Sequence, residues 1–171
     1  MSQYGIKGIY RDRLLDARGS EVFDSGWKPN LIVATCRVLL GSFMNNDASA
    51  KGIQNLQVGR GDPTWDTNPP PAPDPNLVTK LQDNSPFIIP KASLIIQYLN
   101  DSDAIVQSQT SRIQIVATLG PNQPTAQTFQ LREFGLFGSL NNVPFMIDYI
   151  RHPLIEKSGS VTLERRVRLI F

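Results

Sequence analysis

The clearest pattern along the chain is a two-residue alternation near its C-terminal end. Val161, Leu163, Val167, Leu169 and Phe171 share one face, with Arg165 as the exception, while Thr162, Glu164, Arg166 and Arg168 point the other way. That period predicts an antiparallel strand over 160–171 with one buried and one wet face. Ala92–Leu99 and Arg112–Leu119 are rich in Ile, Val and Leu; Ile53–Val58, Thr128–Phe137 and Pro144–Ile150 are strand-like too, with Gly, Pro, Asn or Asp between most of these runs. Near the start, Gly5–Asp16 alternates loosely, meets Ala17-Arg18-Gly19-Ser20 and returns through Glu21–Ser25, which predicts a hairpin over 5–25.

One segment changes period. From Leu31 to Met44 the residues Leu31, Ile32, Val33, Cys36, Val38, Leu39, Leu40 and Phe43 recur at spacings of three and four. They predict an amphipathic helix over 31–44, with Asn30 as its N-cap and Asn45-Asn46-Asp47 as its stop. Gly59-Arg60-Gly61-Asp62-Pro63 is turn-rich, and five prolines follow in the eight residues Asn68–Pro75. Prolines remove backbone donors and hold the chain extended, so 60–76 is expected to be a surface loop or arm. Residues 77–82 suit a helical turn, and Ser85–Pro90, bracketed by prolines, suits a sheet edge. Together these elements predict a mainly β fold with one helix: an antiparallel β-sandwich or partly closed barrel, with an N-terminal hairpin and a proline-rich arm. The 171 residues are read as a single structural domain, with the main β region at 85–171.

Composition narrows the function classes. A chain of this length is expected to fold to roughly 8,000 Å² of surface and bury about 70% of what the extended chain exposes, so a core is possible without metals or disulfides. The single cysteine, Cys36, and single histidine, His152, exclude disulfide scaffolds, zinc modules and haem attachment. Seventeen Lys and Arg against fifteen Asp and Glu give a net charge of +2, little field for gripping phosphates, so no nucleic-acid partner is expected. The longest apolar run, Leu31–Ala34, is far shorter than the ~20 residues of a membrane helix. Residues 1–25 show no cationic-then-apolar leader, so a soluble protein without a cleaved export signal is expected.

No catalytic, cofactor or metal residue is assigned. An acyl-transfer triad needs a base beside its nucleophile, and nothing in the sequence marks a partner for His152, which is read as structural or superficial. Cys36 lies in the apolar stripe and is expected to be an inert, buried thiol. Gly59-Arg60-Gly61-Asp62 is followed by Pro63 rather than a helix, so it reads as a tight turn and not a phosphate loop or an adhesion tripeptide. Asp101 and Asp103 lack the further oxygen ligands of a calcium loop and are assigned to a hairpin turn. Arg165-Arg166 and Arg168 are read as a solvent face or an intersubunit strip. Arg132-Glu133 is a charged pair inside the apolar run Phe129–Phe137, so it must be paired or lie at an interface.

Taken in order, Asn30-Leu31-Ile32-Val33 opening a segment with Cys36-Arg37-Val38-Leu39-Leu40, Ile53–Val58 leading into Gly59-Arg60-Gly61, Arg132-Glu133-Phe134-Gly135-Leu136-Phe137-Gly138, and Leu163–Leu169 resemble structural proteins of bacteriophage tails and contractile injection systems. The likeness spans about residues 5–171 and is to domains near tail-fibre, collar, cap or baseplate attachment points. It implies an assembly component without catalytic residues or cofactors, assembled in the cytoplasm and incorporated in a virion or injection particle. Its partners would be copies of itself in a ring and neighbouring tube, sheath or baseplate proteins. Trp27, Trp65, Arg132, Glu133, Phe134, Arg166 and Arg168 are the candidate intersubunit contacts, and the hairpin, the arm and the last strand the contacting elements. The rival class is a carbohydrate- or receptor-binding sandwich using Trp65, Asp62 and Asp66.

Overall fold

The computed structural model describes residues 5–171, and within them the chain is mostly strand with one short helix. The strands are β1 (Lys7–Leu15), β2 (Glu21–Asp24), β3 (Lys28–Pro29), β4 (Leu31–Ile32), β5 (Lys51–Gly59), β6 (Phe87–Pro90), β7 (Leu94–Leu99), β8 (Ile105–Val106), β9 (Arg112–Leu119), β10 (Phe129–Leu140), β11 (Val143–Lys157) and β12 (Thr162–Ile170); the helix is α1 (Ala34–Met44). They form two antiparallel sheets. One runs β2-β1-β12-β9-β7-β8, with β3 also on β1, and the other runs β4-β11-β10-β5-β6.

Alternation places the core. In β12, Leu163, Arg165, Val167 and Leu169 are buried, and their Cα partners on β1 are Leu14, Asp12, Tyr10 and Gly8. These face Phe129, Leu131, Phe134 and Leu136 of β10 across one continuous core between the sheets. The exception in the alternation is thereby explained: Arg165 donates to Asp12 through Nε at 2.6 Å and through a terminal nitrogen at 2.8 Å, and lies over the Phe134 ring at 3.9 Å. A second, smaller core on the far side of the five-stranded sheet gathers Val33, Leu81, Phe137, Met146 and Tyr149. β10 is therefore buried on both faces, which is why its apolar run does not alternate.

Several boundaries differ from the sequence reading. The helix begins at Ala34, because Leu31 and Ile32 pair with Tyr149 and Asp148 as β4. Asn30 is not the N-cap; Val33 holds that position without a side-chain bond, and Pro75 O accepts the Ala34 N–H instead. Only Cys36 and Leu39 of the expected stripe are buried within the helix, while Val38, Phe43 and Met44 are exposed. Residues 77–82 form no helical turn; the chain turns at 75–77 and runs irregularly to β6, which is an edge strand as expected. β11 continues seven residues past Ile150, through Pro153. No helix among the described residues is long and apolar enough to cross a membrane.

The Asn30 side chain occupies space left by Gly8, where a Cβ would sit 1.7 Å from Asn30 Oδ1. From there Asn30 Nδ2 donates to the buried Asp148 carboxyl at 2.7 Å. Gly8→Ala is therefore expected to displace the amide and cost about 2–3 kcal/mol, since a buried acceptor loses its donor. Thermal unfolding checks this: a fall of about 5–10 °C is expected for a chain of this size, and an unchanged midpoint would refute it.

Candidate functional site

The segment expected to protrude instead forms a strap over the outer face of the five-stranded sheet. Gly61 adopts φ +58°, and a Cβ there would meet the Trp65 ring at 2.4 Å, so the turn closes tightly on the indole. The Asp62 carboxylate accepts from Thr64 N at 2.9 Å and Thr64 Oγ1 at 2.8 Å, capping a 3-10 turn over Pro63–Asp66. That turn delivers Asp66 to Arg132, which donates to both its oxygens at 2.8 and 2.7 Å and to Arg60 O at 3.0 Å. The guanidinium holds the Asp66 carboxyl below the usual range.

The strap then passes Pro69–Pro73 and is fixed again beyond it. Gln82 N and Asp83 N donate to the Glu133 carboxylate at 3.0 and 2.7 Å, and Tyr149 OH donates to it at 2.6 Å. Burial and the Glu133 charge push the Tyr149 hydroxyl well above its ordinary pKa, so it remains a donor. The charged pair inside an apolar run thus has its partners within the chain: Arg132 takes one end of the strap and Glu133 the other.

Between the strap and β11 lies a cleft of about 950 Å³, walled by Pro69–Pro73 and Trp65 on one side and by Tyr149–Leu154 on the other. Arg151 stands within it, its guanidinium 4.7 Å from the Trp65 ring centroid, with Nε donating to Tyr149 OH at 3.1 Å and a terminal nitrogen to Pro71 O at 3.4 Å. A second recess, of about 270 Å³, opens where the two sheets splay under α1; Cys36, Leu39, Phe43, Ile96, Tyr98 and Phe171 are among its lining residues.

No family model, curated protein or solved structure matches the chain. Its residues must therefore supply the functional reading. Among the described residues, no group of three His, Cys, Asp or Glu side chains is placed to hold a metal ion. His152 is buried, with Nδ1 2.8 Å from Pro153 O and Nε2 3.0 Å from the Arg165 guanidinium; burial, chiefly, lowers its pKa to about 4 and keeps the ring neutral. Burial pushes the Cys36 thiol up to about 11. Asp103 lies in the β7–β8 turn and pairs with Arg112 and Arg168.

The candidate contacts separate into two groups. Arg132, Glu133 and Phe134 are 2%, 0% and 0% exposed, so they lie inside the chain and offer no surface to a neighbouring copy. Phe134 packs edge-on to Tyr10 in the core, at 5.3 Å between centroids. Trp27, Trp65, Arg166 and Arg168 are partly exposed. Arg168 covers the Trp27 ring at 4.1 Å and bonds Gln114, while Arg166 bonds Glu164 at 2.8 Å, all on the wet face of the seven-stranded sheet. Trp65 has Gly61 against its ring and Arg151 over it, and the Asp62 and Asp66 carboxylates are already engaged. Of the residues a glycan site would use, Asp66 is thus paired with Arg132 and one oxygen of Asp62 is bonded to Thr64, while Trp65 lines the open cleft.

The sequence reading missed Arg151, Tyr149, Asp148 and Asp12. The signal for Asp12 was present, since it shares a parity with Tyr10 and Leu14 and so falls on the buried face of β1.

Proposed function

We propose that the chain is a structural component of a phage tail or a related contractile injection particle, assembling through protein-protein contacts into a ring at a neck, cap, or baseplate or fibre attachment site. The observation that carries this reading is the open apolar recess beneath α1. Phe43, Ile96, Tyr98 and Phe171 line it and are 42%, 38%, 36% and 50% exposed. Ile96 and Tyr98 pair with Ile115 and Ile113 on the core-facing side of β7, yet remain open to solvent. Aromatic side chains in a concave, incompletely filled mouth are the anchors that protein interfaces favour. Met44, at the end of α1, is 89% exposed.

The test is the mass of the purified chain, alone and co-expressed with tube and sheath proteins. A ring, or co-purification with those proteins, is expected, and the double variant Phe43→Asp, Phe171→Asp should return a folded monomer, its fold checked by circular dichroism. A wild-type chain that stays monomeric at high concentration and captures neither protein would overturn the reading.

A further inference from the structure

β11 is paired with β10 along one edge, but on the other β4 reaches only Asp148 and Tyr149. From Ile150 to Ile155 the second edge has no ladder partner among the described residues, which at about 3.3 Å per residue leaves some 20 Å of open strand. An open edge is a template for another strand. Here it lies along the wall of the 950 Å³ cleft, and the facing wall is Pro69–Pro73. Four of those five residues are prolines, which have no N–H, so the strap cannot close the edge with a regular ladder. Pro153 and the register shift opposite Arg132 interrupt the edge further along, so main-chain pairing is confined to the stretch around Ile150–His152. Recognition then falls on the side chain at its centre, Arg151.

That guanidinium is held in place but not neutralised by contact. Trp65 stacks on it, Tyr149 OH and Pro71 O take two of its N–H groups, and no carboxylate among the described residues lies within ion-pair distance. The nearest carboxylate through the bonded chain is Glu133, beyond the Tyr149 hydroxyl, and it already accepts three donors. Asp66 at the mouth is bound by Arg132. A fixed guanidinium with remaining N–H groups is built for a carboxylate.

We infer that the cleft receives an extended polypeptide segment of a partner protein, laid along β11 at Ile150–His152 with an Asp or Glu side chain on Arg151. This deepens the assembly reading and relies on it for the natural occupant, but the binding test does not require a ring. The probe is a short blocked peptide alternating valine and threonine around a central glutamate, titrated against the isotope-labelled chain and followed by NMR. Saturable binding below about 1 mM is expected, with shifts at the amides of Ile150, Arg151, His152 and Leu154 and at the Trp65 indole, and slowed amide exchange at Arg151. Replacing the peptide glutamate by glutamine, or Arg151 by Gln, should weaken binding roughly tenfold or more, with Arg151→Lys intermediate. Equal binding of both peptides, equally good binding by free glutarate, shifts elsewhere on the surface, or no saturation would each overturn the inference. If the peptide fails while Phe43→Asp, Phe171→Asp still dissolves an oligomer, only the cleft assignment falls; if the peptide binds a chain that never assembles, only the assembly reading falls.

Discussion

Asp12→Ala is expected to destabilise the chain by about 3–5 kcal/mol, because it leaves a guanidinium buried in the core without its counter-ion. Arg165 is 1% exposed and Asp12 0%, and the two bonds between them, 2.6 and 2.8 Å, are bidentate. With Asp12 gone, Arg165 retains only the His152 ring nitrogen and the face of Phe134, and one of its terminal nitrogens already has no partner. For a chain of this size the loss corresponds to a fall in Tm of about 6–20 °C. The complementary double variant, Asp12→Leu with Arg165→Met, removes both desolvated charges and fills the space with apolar atoms, so it should recover most of the loss or exceed the wild type. Urea unfolding of the two singles and the double closes the cycle. A single variant within about 1 kcal/mol of the wild type would mean that water reaches the pair, contrary to the burial. The pair also fixes register: Asp12 and Arg165 are Cα partners, and a one-residue slip of β1 against β12 would carry Asp12 to the wet face and bring Arg11 or Arg13, a like charge, opposite Arg165 in the core.

That pair also marks where the sequence stops being readable. Alternation in 160–171 located β12 and both its faces from one residue to the next, and it isolated Arg165 as an anomaly; what it could not supply was Asp12, 153 residues away. Arg132-Glu133 behaves the same way. Its place inside Phe129–Phe137 required partners, yet these are a carboxylate 66 residues earlier and two backbone amides some 50 residues earlier, which no local pattern specifies. Leu31–Ala34 is an apolar run that suits either a strand or a first helical turn. The choice is made by Tyr149 and Asp148, which recruit Leu31 and Ile32 into the sheet and start the helix at Ala34. The proline run was legible as extended surface chain because proline fixes φ and lacks a donor. Its anchoring was not, because Asp66, Pro75, Gln82 and Asp83 hold the strap through isolated long-range hydrogen bonds rather than a period. The cleft follows from that anchoring, so it was invisible for the same reason, although Trp65 was singled out. Arg151 carried no signal: an arginine after Tyr149-Ile150 reads as the wet side of a strand until the strap is in place.

Asp148 and His152 are expected to give the chain a nearly flat stability between pH 4 and 6.5 by opposing one another, and replacing either should expose the other. Burial raises Asp148 from the ordinary carboxyl range to about 7, so the folded chain holds a proton there that the unfolded chain has released above pH 4. Stability from this group is therefore lost as pH rises through that interval, by about 4 kcal/mol in full. Burial lowers His152 to about 4, so the unfolded chain binds a proton below pH 6.5 that the folded chain refuses. Stability from this group is lost in the opposite direction, by about 3 kcal/mol as pH falls to 4. Asp24, lowered to about 2 by Arg11, and the other paired carboxylates act mainly below pH 4, outside the window. In Asp148→Asn the side-chain carbonyl can keep the 2.8 Å bond from Leu136 N, and its new NH₂ can donate to Asn30 Oδ1, the buried oxygen that now has no partner, once the Asn30 amide is turned over. That variant should be more stable than the wild type at pH 7.5, by about 2–4 kcal/mol, and should show stability rising from pH 4 to 6.5. His152→Gln should instead fall in stability over pH 4 to 7. Urea midpoints measured every half unit of pH decide between the outcomes. An Asp148→Asn variant that is weaker at pH 7.5 and parallels the wild-type profile would show that Asp148 is ionised in the fold, with Asn30 and the Leu136 amide together sufficient to stabilise its charge.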